Sequence, residues 1–319
     1  MGASLDTQAV VLSAPEKLGL EHLLLDPPTG EDLVVEIEWS GISTGTERLL
    51  YTGAMPPFPG MGYPLVPGYE SVGRVVSTPE RSDYHPGDRV FVPGAACYGE
   101  VRGLFGGSAS RVVVPERRVA PLGDRLGREG VLMALAATAY HALVPAADPQ
   151  ARLPELIVGH GVLGRLLARM CVALGGRPPV VWEKNAERAE GARGYEVVSP
   201  DDDDRRDYRV ICDVSGDPTL IDTLVGRLAR RGEIVLAGFY SAPISFAFPP
   251  AFMKEARLRI ASEWEPNDLS AVMGLVDMGR LPLDGLITHE ARATAAPGAY
   301  RTAFEDPKCL KMILDWSCA

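Results

Sequence analysis

The stretch LIVGHGVLGRLLA occupies residues 156–168. It opens as an apolar strand. Gly159, Gly161 and Gly164 follow in the spacing G-x-G-x-x-G as a helix begins. The first glycine permits a tight turn, the second leaves room for a pyrophosphate, and the third lets helix and strand approach closely. The helix N-terminus then faces the phosphates. Gly159, His160, Gly161, Val162, Leu163 and Gly164 are therefore the expected dinucleotide-binding surface, with His160 a spacer rather than a catalyst. The helix, expected over 161–174, carries an apolar stripe of Leu163, Leu166, Leu167, Met170 and Leu174. The next strand, VVWEK, ends at Glu183, about 20 residues downstream, where an acid meets a ribose 2′-hydroxyl. A carboxylate there repels a 2′-phosphate, which favours NAD over NADP. The plainer alternatives are a strand-to-helix turn and a surface acid.

Outward from this motif, helix and strand patterns alternate, as in a doubly wound parallel sheet. Strands are expected at 179–182, 210–214, 233–237 and 258–261, and a helix at 218–230 ends in basic residues near Gly232. Beyond 263 come a helix (269–278), a strand (286–288), a helix (297–305) and a strand (310–314). Residues 8–130 differ: short apolar runs at 9–12, 33–37, 73–76, 89–92 and 111–114 alternate with Gly- and Pro-rich turns, the pattern of a largely antiparallel β domain. The expected division is 1–130, completed by 263–319, around a domain at 131–262. The run DDDDRRD (201–207) reads as a solvated loop.

The chain has 319 residues and a formal net charge of −10. The acidic balance argues against nucleic acid and against anionic lipid. The longest apolar run, 131–147, contains His141 and Pro145 and is shorter than the ~20 residues of a membrane span, so it is expected as a buried helix. The opening MGASLD has no basic and apolar signal segment, and Asp6 stands where a myristoylation signal needs Ser or Thr. The five cysteines, Cys97, Cys171, Cys212, Cys309 and Cys318, show no C-x-x-C spacing, which fits reduced thiols in a cytoplasm.

SGISTGTE (40–47), PGYESVG (67–73), LAATAYHAL (135–143), GHGVLG (159–164), RRGEIVLAGF (230–239) and LITHEA (286–291) together resemble the medium-chain dehydrogenase/reductase superfamily. That resemblance implies an α/β protein: a GroES-like β-barrel catalytic domain plus a Rossmann doubly wound parallel sheet, with the active site in the cleft between them. It adds Thr138 and Gly238 to the residues expected near the cofactor. Zinc members hold their metal with a Cys in a G-I-C-G-T-D-like turn, a His in G-H-E-x-x-G, and a third ligand before the T-A-Y helix. Here Ser43 and Tyr69 stand at the first two places, and spacing puts the third near Ala134. Serine, tyrosine and alanine do not make a zinc site, so no metal is expected.

MPPFPGMGYPLVPGYE (55–70) and RGLFGG (102–107) further resemble the bacteriochlorophyllide a dehydrogenase family. The resemblance implies NAD-dependent oxidation of the C3 1-hydroxyethyl group of a chlorophyllide or bacteriochlorophyllide, a substrate carrying its own magnesium. Without zinc, side chains must take the alcohol's proton. Tyr69 is the first candidate, Ser43 and Thr46 could bond the alcohol, and Glu70 or Glu47 could be the terminal acceptor. Tyr69 as a filler of the zinc void and Glu70 as a brace are the structural alternatives. A flat macrocycle needs an apolar pocket, for which Tyr51, Met55, Pro57, Phe58, Met61, Tyr63 and Phe105 are candidates; ordinary loop packing is the alternative. No axial magnesium ligand stands out among His22, His85, His141 and His289. Two other readings stay open: a zinc-free quinone or enoyl reductase, and a non-catalytic dinucleotide-binding regulator. Oligomeric state stays open; the superfamily resemblance implies dimers or tetramers through the edge of the Rossmann sheet, here the strand near 258–261.

Overall fold

The computed structural model describes residues 5–123, 126–144 and 151–317. They form two units, Met1–Ala134 with Leu286–Ala319, and Leu135–Gly285.

The first unit is built around the strand Asp32–Ile42. It pairs antiparallel with Ser71–Ser77, with Arg111–Pro115 and with the late strand Met312–Asp315. Arg89–Val92, Ala120–Pro121 and His289–Arg292 extend this seven-stranded sheet. A smaller sheet sets Asp6–Ala14 between Lys17–Leu24 and Leu65–Val66, with Arg102–Gly103 outside the latter. Alternating apolar residues of both sheets, among them Val10, Leu33, Val35, Val90 and Val112, share one core with Tyr300 and Leu314 from the late segment. That sharing puts the buried side chains between Ala293 and Trp316 in this unit's core. The late strand falls at His289–Arg292 rather than 286–288. Leu286 is instead fully buried ahead of it.

The second unit holds six parallel strands. Numbered as the chain makes them, Leu156–Val158, Val180–Trp182, Glu196–Val198, Tyr208–Asp213, Leu228–Leu236 and Arg257–Ile260 lie in the order 3-2-1-4-5-6, the doubly wound arrangement. The helix Val162–Ala173 buries Leu166, Leu167 and Met170 as its spacing requires, and also Arg165 and Arg169. The unit continues to Gly285, past the 262 expected from the sequence. Hydrogen bonds tie that continuation down: His141 Nδ1 meets Asp268 Oδ2 at 2.8 Å, and Arg169 Nη1 donates to the carbonyls of Pro282 and Asp284 at 2.8 and 3.1 Å.

Other differences have local causes. The helix at 218–230 shortens to Ile221–Arg227, because Leu228 already pairs with Tyr208 in the sheet. A helix at Phe248–Lys254 begins with two prolines in its first turn, where their missing N–H groups cost nothing. Asp203, in the acidic run, is no solvated residue. Its carboxylate accepts from Trp182 Nε1 at 2.7 Å and from Tyr208 Oη at 2.7 Å, while the Arg227 guanidinium lies 4.9 Å from the Trp182 ring centre. The helix expected at 131–147 spans Met133–Leu143; residues 145–147 and Cys318 lie outside the described residues. Cys97, Cys171 and Cys212 are buried free thiols, and Cys309 is buried with them. No helix among the described residues is long and apolar enough to cross a membrane.

Candidate active site

In the first unit, the chain leaves the strand Asp32–Ile42 through Ser43 and enters the short helix Thr46–Thr52. Its N-cap is Gly45, which supplies no side-chain cap. The first-turn Glu47 turns back instead. Its Oε1 accepts from the Ser43 amide at 3.2 Å, and its Oε2 accepts from Tyr300 Oη at 2.7 Å. Glu47 has no exposed surface. Burial, reinforced by the nearby Glu70 charge and only partly offset by the Tyr300 hydrogen bond, pushes its carboxyl from 4.5 to about 8. At neutral pH it is a buried acid holding its proton.

Tyr69 approaches the same turn from the segment before Ser71–Ser77. Its hydroxyl donates to Ser43 Oγ at 2.7 Å and hydrogen-bonds Thr46. Burial and the Glu70 carboxylate hold the phenol proton well above its ordinary range. The Phe105 ring stands edge-on to Tyr69 with centroids 5.3 Å apart. Glu70, also without exposure, pairs at Oε2 with Lys311 Nζ at 2.6 Å, and the same ammonium donates to Ile42 O at 3.1 Å. Glu70 Oε1 finds no partner among the described residues. A buried ion pair of this kind is costly to break, because the remaining charge stays desolvated.

Ser43, Thr46, Tyr69, Glu47 and Glu70 thus come together. Lys311, Tyr300 and Ser108, whose Oγ lies 3.5 Å from Tyr300 Oη, belong to the cluster and were missed from sequence. Two signals were there: Lys311 interrupts the apolar run CLKMIL, and Tyr300 shares a helical face with Ala296, Ala299 and Ala303.

The expected macrocycle wall divides. Tyr51, Met55, Met61 and Tyr63 pack with Leu12, Leu50, Leu65 and Leu104 in a small apolar cluster of their own. Tyr63 also donates its hydroxyl to Leu50 O. Phe58 is 38% exposed. Phe105 stands against the hydroxyl cluster. The four uncommitted histidines each face a carboxylate: His22 with Asp6, His85 with Asp88, His141 with Asp268 and His289 with Asp306.

In the second unit the glycine-rich loop leaves the first strand at the point where strand order reverses, between Leu156–Val158 and Tyr208–Asp213. Gly159 takes a φ of +105°, which L side chains rarely adopt. A Cβ at Gly164 would lie 1.8 Å from the Gly159 carbonyl oxygen, whereas one at Gly161 would meet nothing within 4 Å. The loop is close-packed behind and open at Gly161. Val162 is buried and Leu163 half-buried in the first helical turn. Glu183 Oε2 accepts from the His160 amide at 3.1 Å, and Oε1 from Asn185 N at 2.8 Å. The acid therefore braces the glycine loop as well as ending its strand.

His160 is fully buried. Its Nδ1 lies 2.6 Å from Arg188 O and its Nε2 2.8 Å from Tyr195 Oη. Burial lowers the imidazole to about 4, so the ring is neutral. The carbonyl fixes the proton on Nδ1, and Nε2 accepts from the phenol. Arg165 adds bonds to the carbonyls of His160, Arg188 and Glu190. Gly238 N donates to Asp213 O at 3.1 Å, and Asp213 Oδ2 accepts from Tyr240 Oη at 2.8 Å. Thr138 is half-buried inside the helix Met133–Leu143.

Residues 29–124 match the alcohol dehydrogenase GroES-like domain. The 2-desacetyl-2-hydroxyethyl bacteriochlorophyllide A dehydrogenase of Cereibacter sphaeroides is 60% identical, over 97% of this chain and 98% of that one. Its counterpart from Rhodobacter capsulatus is 59% identical, over 99% and 100%. Among solved structures, L-idonate 5-dehydrogenase from Escherichia coli superposes with a TM-score of 0.84 at 20% identity, covering 98% of this chain and 99% of that one. 2R,3R-butanediol dehydrogenase from Bacillus subtilis gives 0.82 at 21%, covering 97% and 99%. The structural likenesses establish the fold: a GroES-like domain and a Rossmann-like parallel sheet.

Proposed function

The chain belongs to the 2-desacetyl-2-hydroxyethyl bacteriochlorophyllide A dehydrogenase family of medium-chain dehydrogenases, and from that membership we propose that it oxidises the C3 1-hydroxyethyl group of a bacteriochlorophyllide or chlorophyllide to acetyl, with NAD and without catalytic zinc. The observation that carries the reading is the Tyr69–Ser43 hydroxyl pair backed by Glu47, a carboxyl that holds a proton up to about pH 8.

The oxidation removes a hydride from carbon and a proton from oxygen. A nicotinamide dinucleotide, when bound, supplies the hydride acceptor. The residues fit such a cofactor: Gly161 leaves open space before a helix N-terminus, and Gly159 and Gly164 close the turn behind it. Glu183 supports NAD, since a carboxylate at the end of the second strand disfavours a 2′-phosphate. Lys184, beside it, faces Asp217 at 3.9 Å.

The zinc donor set does not fit. A serine hydroxyl, a phenol held above its usual range and the methyl of Ala134 offer no thiolate, imidazole or free carboxylate. The Lys311 ammonium against Glu70 adds a positive charge where a cation would need the opposite. The proton therefore leaves through side chains. Tyr69 takes the alcohol's proton as its own passes to Ser43 Oγ, and Ser43 passes its hydroxyl proton to Glu47, whose Oε1 lies at the Ser43 amide, in the ionised form that predominates above about pH 8. Glu47 is the better terminal acceptor of the two carboxylates, because Glu70 is committed to Lys311. Phe105, edge-on to Tyr69, gives the macrocycle an aromatic surface beside the reacting hydroxyl.

The test is a visible absorption time course with 3-(1-hydroxyethyl)chlorophyllide a, NAD⁺ and a chelator. Acetyl extends the conjugation, so the long-wavelength band moves to the red as NADH appears. Tyr69→Phe is expected to slow turnover roughly 100-fold; unchanged turnover removes Tyr69 from the relay. No band shift, with NAD⁺ binding intact, would favour a reductase or a non-catalytic binder.

A further inference from the structure

We propose that Tyr300 is a positioning residue for the proton acceptor: its hydroxyl, braced by Ser108, fixes one oxygen of Glu47 so that the other stays at Ser43. The inference rests on the function proposed above and assigns part of it to the late segment of the chain.

The geometry is specific. Among the described residues, each carboxylate oxygen of Glu47 accepts from one donor: Ser43 N at 3.2 Å on Oε1, and Tyr300 Oη at 2.7 Å on Oε2. Neither Glu47 nor Tyr300 has exposed surface, so water cannot replace a lost partner. A donor on each oxygen fixes the carboxylate plane, and with it the oxygen held at the Ser43 amide. Tyr300 is held in turn. Its ring meets Phe304 edge-on at 5.7 Å, and its oxygen lies 3.5 Å from Ser108 Oγ. Since Tyr300 donates to Glu47, Ser108 is the donor in that second contact. The helix Ala296–Glu305 brings the phenol in because Ala296, Ala299 and Ala303 leave room on its buried face.

The other charged or titratable groups facing Glu47 are Glu70 and Lys311, which oppose each other, and the phenol of Tyr69. Of the set, Tyr300 is the one whose hydrogen bond favours the ionised, proton-accepting form of Glu47 through a side chain. Removing that hydroxyl makes Glu47 hold its proton more tightly. The form of Glu47 able to accept a proton then appears only at higher pH.

Tyr300→Phe keeps the ring and deletes only the hydroxyl. The expected result is a rising limb of kcat/KM for alcohol oxidation displaced upward by roughly one pH unit. That is about a tenfold loss at pH 7, with the wild-type plateau regained at high pH. Ser108→Ala should move the limb the same way by less. A purely structural role for Tyr300 lowers the plateau and leaves the limb in place, and that result would overturn the proposal. A second readout needs no turnover. The infrared band of the protonated Glu47 carboxyl, identified by its disappearance in Glu47→Gln, should titrate at higher pH in Tyr300→Phe than in wild type. An unmoved band midpoint also overturns the proposal. If the wild-type protein does not oxidise the alcohol at all, the functional reading fails, and the infrared titration still decides the role of Tyr300.

Discussion

A carboxyl group with no exposure is an expensive thing to keep, and Glu47 shows the cost as a displaced titration. In the unfolded chain it releases its proton near 4.5; in the folded protein it does so near 8. Between those values the folded state binds more protons than the unfolded one, so this residue's contribution to stability falls as pH rises from about 4.5 to 8 and is level above. The ionisation penalty is on the order of a few kcal/mol. Glu47→Gln keeps the shape and cannot ionise. It is expected to melt close to the wild type at pH 5 and several degrees higher at pH 9, as calorimetry would record, while losing oxidation activity by about two orders of magnitude. Equal melting temperatures at both pH values would mean that Glu47 is already solvated or paired. Tyr69 stands differently. Its proton is held too tightly for it to be the resting base, so it serves as a conduit.

At the scale of the element, the glycine loop separates two jobs that the sequence motif runs together. Gly161 faces open space, whereas Gly164 faces the Gly159 carbonyl. Gly161→Asp should lower NAD⁺ affinity at least tenfold by titration calorimetry, through charge and bulk set against phosphate, with little change in melting temperature. Gly164→Ala should lose both, because its Cβ requires backbone to move, at a cost of about 1–3 kcal/mol. A Gly161→Asp protein that binds NAD⁺ normally would show that the pyrophosphate lies elsewhere. This motif, its strand and helix, and the parallel character of the sheet were readable in advance because periodicity and glycine chemistry are local; the strand Glu196–Val198 and the strand order came only with the structure. Arg165 and Arg169 were not. Four residues apart, they mark one helix face, which reads as solvated until the carbonyls of 188–190 and 282–284 are seen to cover it. Tyr51, Met55, Met61 and Tyr63 illustrate the reverse problem. Apolar residues in a loop look alike whether they wait for a ligand or, as here, pack on one another. That Ser43 and Tyr69 share one site was expected from motif position, but their hydrogen bond to each other came only with the structure, and the two carboxylates could be told apart only once Lys311 and Tyr300 were placed.

For the molecule as a whole, the late segment 286–319 belongs to the same unit as residues 1–134. Met312–Asp315 pairs with Asp32–Ile42, and Lys311 neutralises Glu70. Lys311→Met leaves Glu70 buried without its counter-ion and should cost about 3–5 kcal/mol, read as a loss of denaturant midpoint. Pairing it with Glu70→Gln should return most of that loss, and a double variant no better than the single would show that packing, not charge, is what Lys311 provides. The discontinuity also sets an order of events during synthesis. A ribosome that has reached residue 285 has finished the whole of Leu135–Gly285, which can close its parallel sheet as it clears the exit tunnel. The earlier-made β unit must wait. Two of its carboxylates lack the phenol and the ammonium that later bury with them, and its central strand lacks a neighbour. The portion of the chain made first is therefore completed last, and until then its unfilled sheet edge is the part of the nascent protein that most needs shielding from other chains.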